Sequence, residues 1–371
     1  MRILFIRSNP VFPDSRVEKE IGALQEAGHN VELLAWDRNA DYPLRMEFLN
    51  DSMHDICAYR VGIKANYGSG IKNIGNLLKF QYEIFKFLKT HVYDAIHACD
   101  FDTAFTAFHL INRDKTKFIY DIFDFYVDAY NVPNILKELI KCLDYKIIEK
   151  ANCVIICTEE RRQQIAGSNP KKVVVIHNTP PMLVIDKKNQ TLHGGRPKIC
   201  YVGILQPGRL LIELGEVVKN HPDWELHIGG FGMYEEYFKK LSEEYANIFY
   251  YGRLPYERTL NLESKCDIML ALYDPNVPNH KYAAPNKFYE ALFLGKPIIM
   301  VKETGMSSVV KENDIGVLID YSEDGFLDGL NRLISKKNEW GEISKKMKRL
   351  YNEKYSWTEM EKRLYDLYGD L

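Results

Sequence analysis

Short apolar runs alternate with helical patterns along almost the whole chain. Arg2 to Arg7 is an apolar run closed at both ends by charge, and predicts a strand. Asp14 to Ala27 sets Val17, Ile21 and Leu24 on one helical face, with Gly28 closing the helix. Residues 30–36 predict the next strand, and more are expected at 93–97, 117–121, 153–157 and 172–176. Strands separated by helices in this way build a parallel sheet covered on both faces. The rhythm breaks over 180–198, where Pro180-Pro181, a polar run and His193-Gly-Gly-Arg-Pro197 mark a linker. It then restarts. Strands at 198–203, 224–229, 248–251, 267–272, 297–301 and 315–319 alternate with helices at 209–219, 233–245, 256–264, 285–294 and 323–336. No sequence repeat accompanies the architectural one. The pattern predicts an α/β protein of two Rossmann-like domains, 1–185 and 198–354, facing a central cleft onto which both sheets open the carboxyl ends of their strands. The lysine-rich stretch from 338 reads as a solvated helix face. The aromatic tail, Tyr355-Ser-Trp357 with Met360, Leu364, Leu367 and Tyr368, needs a surface to pack on.

Composition narrows the classes. The chain is 46% hydrophobic and 27% charged, which excludes disordered, collagen-like and coiled-coil proteins. With 49 basic against 51 acidic residues the net charge is -2, which argues against a surface that holds nucleic acid throughout. The seven cysteines are odd in number, widely spaced and without a CxxC pair, so they read as buried free thiols of a cytoplasmic protein and not as a zinc site. No apolar stretch approaches the roughly 20 residues of a spanning helix, and Met1 to Arg7 is too short for a signal peptide. Membrane contact is therefore expected to be peripheral, at the inner face of the cytoplasmic membrane.

Four segments of the second half carry candidate chemistry. The first strand there ends in Gly203 and leads through Gly208 to Arg209, which is expected to open a helix. Glycine backbone, a helix amino end and a guanidinium suit an anion such as phosphate; an ordinary turn with a surface arginine is the alternative. The second segment is Ala284-Pro-Asn-Lys-Phe-Tyr-Glu290, ending at Gly295. It puts Pro285, Asn286 and Lys287 at a helix start, where a lysine opposes the helix dipole and a bound anion would explain it. Glu290 sits in apolar company and needs a partner, either sugar hydroxyls or a nearby lysine. The third is the glycine turn Gly229-Gly230-Phe-Gly232 after a strand. The fourth is Tyr251-Gly-Arg253-Leu254-Pro-Tyr256, which offers backbone amides to a flat base edge.

These four segments in this order resemble the donor half of family 4 glycosyltransferases of the GT-B fold (glycosyl transferases group 1). The first half is similar as well, in Asp14-Ser-Arg-Val-Glu-Lys-Glu20, Tyr93-Asp-Ala-Ile-His-Ala-Cys-Asp100, Ile119-Tyr-Asp-Ile-Phe-Asp-Phe125 and Val175-Ile-His-Asn178. The tail from about 355 resembles the family's terminal helix, which crosses back onto the first domain. The resemblance implies a retaining, metal-independent hexosyl transfer from a nucleotide-diphosphate sugar of the UDP or GDP type to a saccharide or lipid-linked saccharide. No other cofactor is implied, and the setting is surface polysaccharide or glycolipid synthesis. By the same match Glu290 would take the ribose hydroxyls and Arg253, Leu254 and Gly230 would border the base. Gly208, Arg209, Pro285, Asn286 and Lys287 would hold the diphosphate. Developing charge on the leaving group would be met by cationic side chains and helix ends.

The sequence departs from the family pattern in four places. Ser8-Asn9-Pro10 stands where a glycine-rich turn is usual after the first strand, and Ile204 where an arginine often follows the strand's glycine. Tyr282 stands eight residues before Glu290, where the family has the first of two glutamates. Phe123 stands where a histidine is common. A sugar-nucleotide epimerase or hydrolase, or a nucleotide-sugar-binding subunit without catalysis, is thus the rival reading. Asp100, Asp121 and Asp124 follow strand ends of the first domain and are candidates for acceptor or sugar contacts, with helix capping or loop hydrogen bonding as the alternative. Arg16 is expected either at the cleft or on the surface, and His97 as a packed histidine. Residues 60–91 interleave Arg60, Lys64, Lys72, Lys79, Lys86 and Lys89 with aromatic and aliphatic residues against a single acid, Glu83. Such a stretch either lies on an anionic bilayer or packs its apolar face on the first sheet.

Overall fold

The structure, a computed structural model, describes all residues except 13, 51–54, 67–72, 131 and 182–194. Most of the expected linker, together with Tyr67, Ile71 and Lys72, lies outside the described residues. The chain forms two compact units, Met1–His177 with Met360–Leu371, and Asn178–Glu359. The divisions fall at 177/178 and 359/360, not at 185 and 355. On the second unit's side Tyr351 explains the shift, since its hydroxyl donates to the Pro180 carbonyl at 3.1 Å.

The first unit is built on β1 (Arg2–Arg7), α1 (Ser15–Glu26), β2 (Asn30–Asp37), β3 (Tyr42–Asn50), β4 (Asp55–Gly62), α2 (Ile74–Thr90), β5 (Ala95–Cys99), α3 (Phe101–Leu110), β6 (Lys117–Ile122), α4 (Tyr126–Ala129), α5 (Asn134–Lys150), β7 (Cys153–Ile156) and β8 (Val173–Val175). The eight strands run in the order β3-β4-β2-β1-β5-β6-β7-β8, parallel except for β3. Ile3, Leu4, Phe5 and Ile6 of β1 are fully buried, because a central parallel strand is covered on both faces. The sequence pattern missed β3 and β4. Their hairpin interrupts the strand-helix rhythm, and β3 leaves Met46 and Phe48 exposed.

The second unit continues with β9 (Lys198–Ile204), α6 (Leu211–Lys219), β10 (Glu225–Phe231), α7 (Glu235–Glu244), β11 (Ile248–Tyr250), α8 (Tyr256–Lys265), β12 (Ile268–Ala271), α9 (Asn286–Leu294), β13 (Ile298–Val301), α10 (Ser307–Asn313), β14 (Gly316–Ile319), α11 (Glu323–Ser335) and α12 (Trp340–Leu350), and α13 (Trp357–Gly369) closes the chain. Its six parallel strands are ordered β11-β10-β9-β12-β13-β14. Strand order reverses beside β9 here and beside β1 in the first unit. At such a reversal the loops leave the sheet to opposite sides and open a crevice at the carboxyl ends of the strands.

The stretch 60–91 is only partly helical, since 60–62 belongs to β4. In α2, Phe80, Ile84 and Phe87 are buried in the core of the first unit, beside Trp36, Tyr59 and Tyr93. The sheet-packing alternative thus holds for one face of this helix, while Ile74, Leu78 and Tyr82 stay exposed. Among the cysteines five are buried, Cys57 is half-buried and Cys142 is exposed; all seven are free thiols.

Candidate functional site

At the reversal of the second sheet lies a cavity of about 440 Å³. Its floor is the end of β9 (Tyr201 to Ile204) and of β10 (Gly230, Phe231), and its walls are Arg209, Arg253, Leu254, Tyr256, Thr259, Tyr273, Ala284, Pro285 and, from α9, Asn286, Lys287 and Glu290. Eight of the nine residues expected at the donor site therefore share one cavity: Gly230, Arg253, Leu254, Glu290, Arg209, Pro285, Asn286 and Lys287. Gly208 is not among the lining residues. It adopts a left-handed φ of +79° and its carbonyl accepts from the Asp274 amide at 3.1 Å, so it turns the chain towards Arg209.

Two local geometries explain the glycines. A Cβ on Gly230 would lie 1.8 Å from the Gly203 carbonyl oxygen, so β9 and β10 can approach only without it. A Cβ on Gly203 would lie 2.6 Å from the Lys287 ammonium, which rests over this glycine. The helix at Arg209 differs from expectation. Leu210, at φ +51°, is the N-cap residue and α6 begins only at Leu211, so Arg209 lies ahead of the helix. Its guanidinium packs 3.7 Å from the Tyr273 ring centre, and its Nε is buried without a hydrogen-bond partner among the described residues.

α9 starts as the sequence predicts, with Pro285 as N-cap, and ends on Gly295 in the left-handed conformation. Asn286 and Lys287 occupy its first turn, where backbone N–H groups lack helical partners. Burial pulls the Lys287 pKa down, but the Tyr201 and Tyr273 phenols and the Glu290 carboxylate outweigh it and leave it raised. The ammonium is therefore charged. Glu290 is buried, and the Tyr256 hydroxyl bonds to it. Arg253 lies 4.5 Å from the Phe231 ring centre, giving a flat cation-aromatic stack at the mouth. Tyr201, Phe231, Tyr256, Thr259 and Tyr273 were not assigned from the sequence. Tyr273 stands two residues past the end of β12, and a strand's carboxyl end is the signal that points to it. Behind the cavity, one turn beyond Thr259, Glu263 is fully buried with both oxygens lacking a hydrogen-bond partner among the described residues. Burial, with Glu290 nearby, raises its pKa well above the carboxylate range.

The three aspartates of the first unit also gather at a sheet reversal, but two of them are committed. Asp121 is fully buried and accepts from Arg16 at 2.7 and 3.2 Å, with His97 Nε2 at 3.5 Å. Burial raises its pKa, but Arg16 and His97 outweigh this and hold it low. Glu20, beside the same arginine at 3.2 Å, is pushed well up by burial and by Asp121. Asp100 pairs with Arg7 and accepts from the Phe123 and Asp124 amides at 3.0 and 3.2 Å. Asp100 follows the loop-bonding alternative and fixes the 121–124 turn, while Asp121 is taken up by the buried Arg16. Asp124 pairs with Arg161 at 2.8 Å yet remains 44% exposed, so it alone of the three can meet a ligand from solvent. Arg16, expected at the cleft or on the surface, is buried under both acids because α1 packs directly on the sheet. His97 is a packed histidine, stacked at 4.0 Å on Phe5 and bonded to the Tyr368 hydroxyl at 2.9 Å. Phe123 lies between two guanidinium groups, Arg7 at 4.1 Å and Arg16 at 4.6 Å from its centre. Arg7 and Arg161 escaped the sequence analysis, since nothing in their spacing marks them as partners.

Two family descriptions match the chain: Glycosyltransferase Family 4 over residues 16–179 and Glycosyl transferases group 1 over 185–357. Among solved structures, sucrose-phosphate synthase from Thermosynechococcus elongatus superposes with a TM-score of 0.74 at 16% identity, covering 100% of this chain and 99% of that one. HepE from Anabaena in complex with UDP gives 0.71 at 13% identity, with 100% of both chains covered. The catalytic domain of starch synthase IV from Arabidopsis thaliana, bound to ADP and acarbose, gives 0.69 at 13%, covering 100% and 99%. No curated protein matches the chain. With the two matches together spanning nearly all of it, the chain belongs to the GT-B glycosyltransferases of family 4, group 1. It is a glycosyltransferase built on two parallel-sheet α/β units.

Proposed function

We propose that the chain moves a hexosyl group, with retention of anomeric configuration, from a UDP- or GDP-type sugar to a hydroxyl of a saccharide or lipid-linked saccharide. The reading includes a role in surface polysaccharide or glycolipid assembly. One observation carries the donor part. Arg209 and Lys287 enter the same cavity beside the amino end of α9, and neither forms an ion pair with a carboxylate among the described residues. Two cations and free amide donors suit a diphosphate, whose charge rises as the sugar leaves. A metal-held diphosphate needs carboxylates, and the lining offers one, Glu290, with three cations around it. HepE was solved with UDP and also with UDP and glucose, which agrees with a uridine nucleotide as the first donor to test.

In this reading Glu290 takes the ribose hydroxyls while Tyr256 holds its carboxylate in place. Arg209 and Lys287 neutralise the leaving phosphate, and Arg253 with Phe231 borders the base. The phosphate oxygen assists deprotonation of an acceptor hydroxyl approaching on the same face. A thermal-shift screen with nucleoside diphosphates and their sugars, in magnesium and in EDTA, tests it. Stabilisation in both buffers is expected. No stabilisation by any diphosphate, or stabilisation that needs magnesium, overturns it.

Tyr282 and Phe123, at the family's glutamate and histidine positions, favour a second reading, a nucleotide-sugar-binding subunit without transfer. Sugar release from a bound donor, followed by NMR with and without saccharide acceptors, separates the two. Binding without any turnover favours the subunit.

A further inference from the structure

The eight-stranded sheet of the first unit has two edges. At one lies β8, where the Val175 carbonyl accepts from the Arg363 guanidinium of α13 at 3.0 Å. At the other lies β3. Among the described residues, nothing bonds to the backbone of Tyr42–Leu49 outside its ladder with β4. An antiparallel strand turns about every second N–H and C=O away from its one neighbour, so β3 leaves a row of donors and acceptors unpaired. Side chains on one face of it are bare as well: Met46 and Phe48 are 56% and 66% exposed. Their neighbours across the ladder are Tyr59 and Cys57. Tyr59 packs on Phe87 and His91 at the end of α2, with ring centres 4.7 and 5.6 Å away, so the helix covers β4 and stops short of β3.

Charge selects the occupant and its register. Charged side chains guard an edge strand by repelling what would add to it. In β3 the guards are Arg45 and Glu47, opposite in sign, two residues apart and on the face away from Met46. When β3 pairs antiparallel with a second β3 about a two-fold axis, opposite residues share a face and the axis passes through one residue. An axis through Arg45 sets two arginines together, and one through Glu47 sets two glutamates together. An axis through Phe48 leaves both charges unmatched. An axis through Met46 sets Arg45 of each copy opposite Glu47 of the other, twice over, and gathers the Met46 and Phe48 side chains of both copies on the other face. The guard charges thus attract in this register and repel or miss in its neighbours. The Arg45 side chain is 54% exposed, and Glu47, bonded to Arg60 at 2.8 Å, keeps 24% of its side chain open. We propose that β3 is a dimerisation edge, pairing with β3 of a second copy about an axis through Met46 and joining the two sheets into one.

The test is sedimentation equilibrium of the full chain. A short strand pairing makes a small interface of the weak class, so a reversible dimer is expected to form across about 5–300 µM chain. Arg45→Glu sets acid against acid at both pairs and should raise the dissociation constant tenfold or more. Arg45→Glu/Glu47→Arg exchanges the charges, keeps an acid beside Arg60 and should restore the dimer. An unchanged melting temperature certifies the fold of each variant. If either melts early, Met46→Lys, which sets two ammonium groups on the axis, replaces the pair and should abolish the dimer. A parent chain that stays monomeric throughout overturns the proposal, as does a dimer that Arg45→Glu or its replacement leaves intact. A dimer weakened by Arg45→Glu and not restored by the exchange overturns it through the register. Growth beyond the dimer overturns it too, because a two-fold pairing uses up the edge on both copies.

Discussion

The Lys287 ammonium lies 4.6 Å from the centre of the Tyr201 ring, its side chain laid across the end of β9 with no carboxylate paired to it among the described residues. A first-turn lysine held this way stabilises neither its helix nor a salt bridge. Replacing it with methionine keeps the aliphatic stem and removes the charge. Lys287→Met and Arg209→Ala should each weaken nucleoside diphosphates by roughly 10–100-fold, as loss of a charge-assisted hydrogen bond does, and leave the nucleoside nearly unchanged. Calorimetric titration of UDP and uridine checks this, and equal losses for both ligands would move the cations away from the phosphates.

Glu290 makes the opposite prediction. Its partner Tyr256 holds one side of the carboxylate, and the cavity receives the rest. Glu290→Ala should cost nucleoside and nucleoside diphosphate equally, by about 1.5–3 kcal/mol for each charge-assisted bond lost. An unchanged affinity for both would remove Glu290 from ligand contact.

Asp100 stands at φ +66°, a left-handed conformation for a residue with a side chain, and its carboxylate joins Arg7 to the 121–124 turn. Asp100→Ala leaves the Arg7 guanidinium buried beside one remaining partner, Asp14, and should destabilise the first unit by about 3–5 kcal/mol. Asp100→Asn keeps the acceptor for both amides and should cost clearly less. Chemical denaturation of the two variants compares them; equal losses would mean that the turn does not depend on these amide bonds.

Asp144 is buried, accepts from the Tyr120 hydroxyl at 2.8 Å, and has its pKa pushed up to about 7 by burial. The unfolded chain titrates this group near pH 4. Between pH 4 and 7 the folded state binds the extra proton, so stability falls as pH rises through that window and is level above it. Asp144→Asn, which cannot ionise, should flatten the slope by up to about 1.4 kcal/mol per pH unit. Denaturation midpoints at pH 5 and 8 give the slope, and an unchanged slope would mean that Asp144 is already ionised at pH 5.

The central strands and most helices were legible because each unit repeats one rhythm: β1 and β9 are apolar on both faces, and α9 carries proline at one end and glycine at the other. The cavity residues Lys287 and Glu290 were legible for a related reason. A lysine in a first turn and a glutamate among leucines contradict what helix stability asks for. The ion pairs of the first unit were not legible. Arg7 and Asp100 are 93 residues apart and meet only through strand order. The same holds for Arg16 and Asp121, 105 apart, whose local sequence left the arginine open between cleft and surface and the carboxylate open between ligand contact and structural bonding. Arg209 was placed correctly in space but not in its element, because the left-handed turn at Leu210 gives no signal in a leucine.

Every wall of the cavity proposed for the donor, from Tyr201 to Glu290, comes from the second unit. Retention of a nucleotide is therefore no certificate of competence. In the proposed reading, a chain whose Asp121 pairing has been ruined would still bind nucleotide at full strength, and inhibitors found by displacement of nucleotide would report on the second unit only.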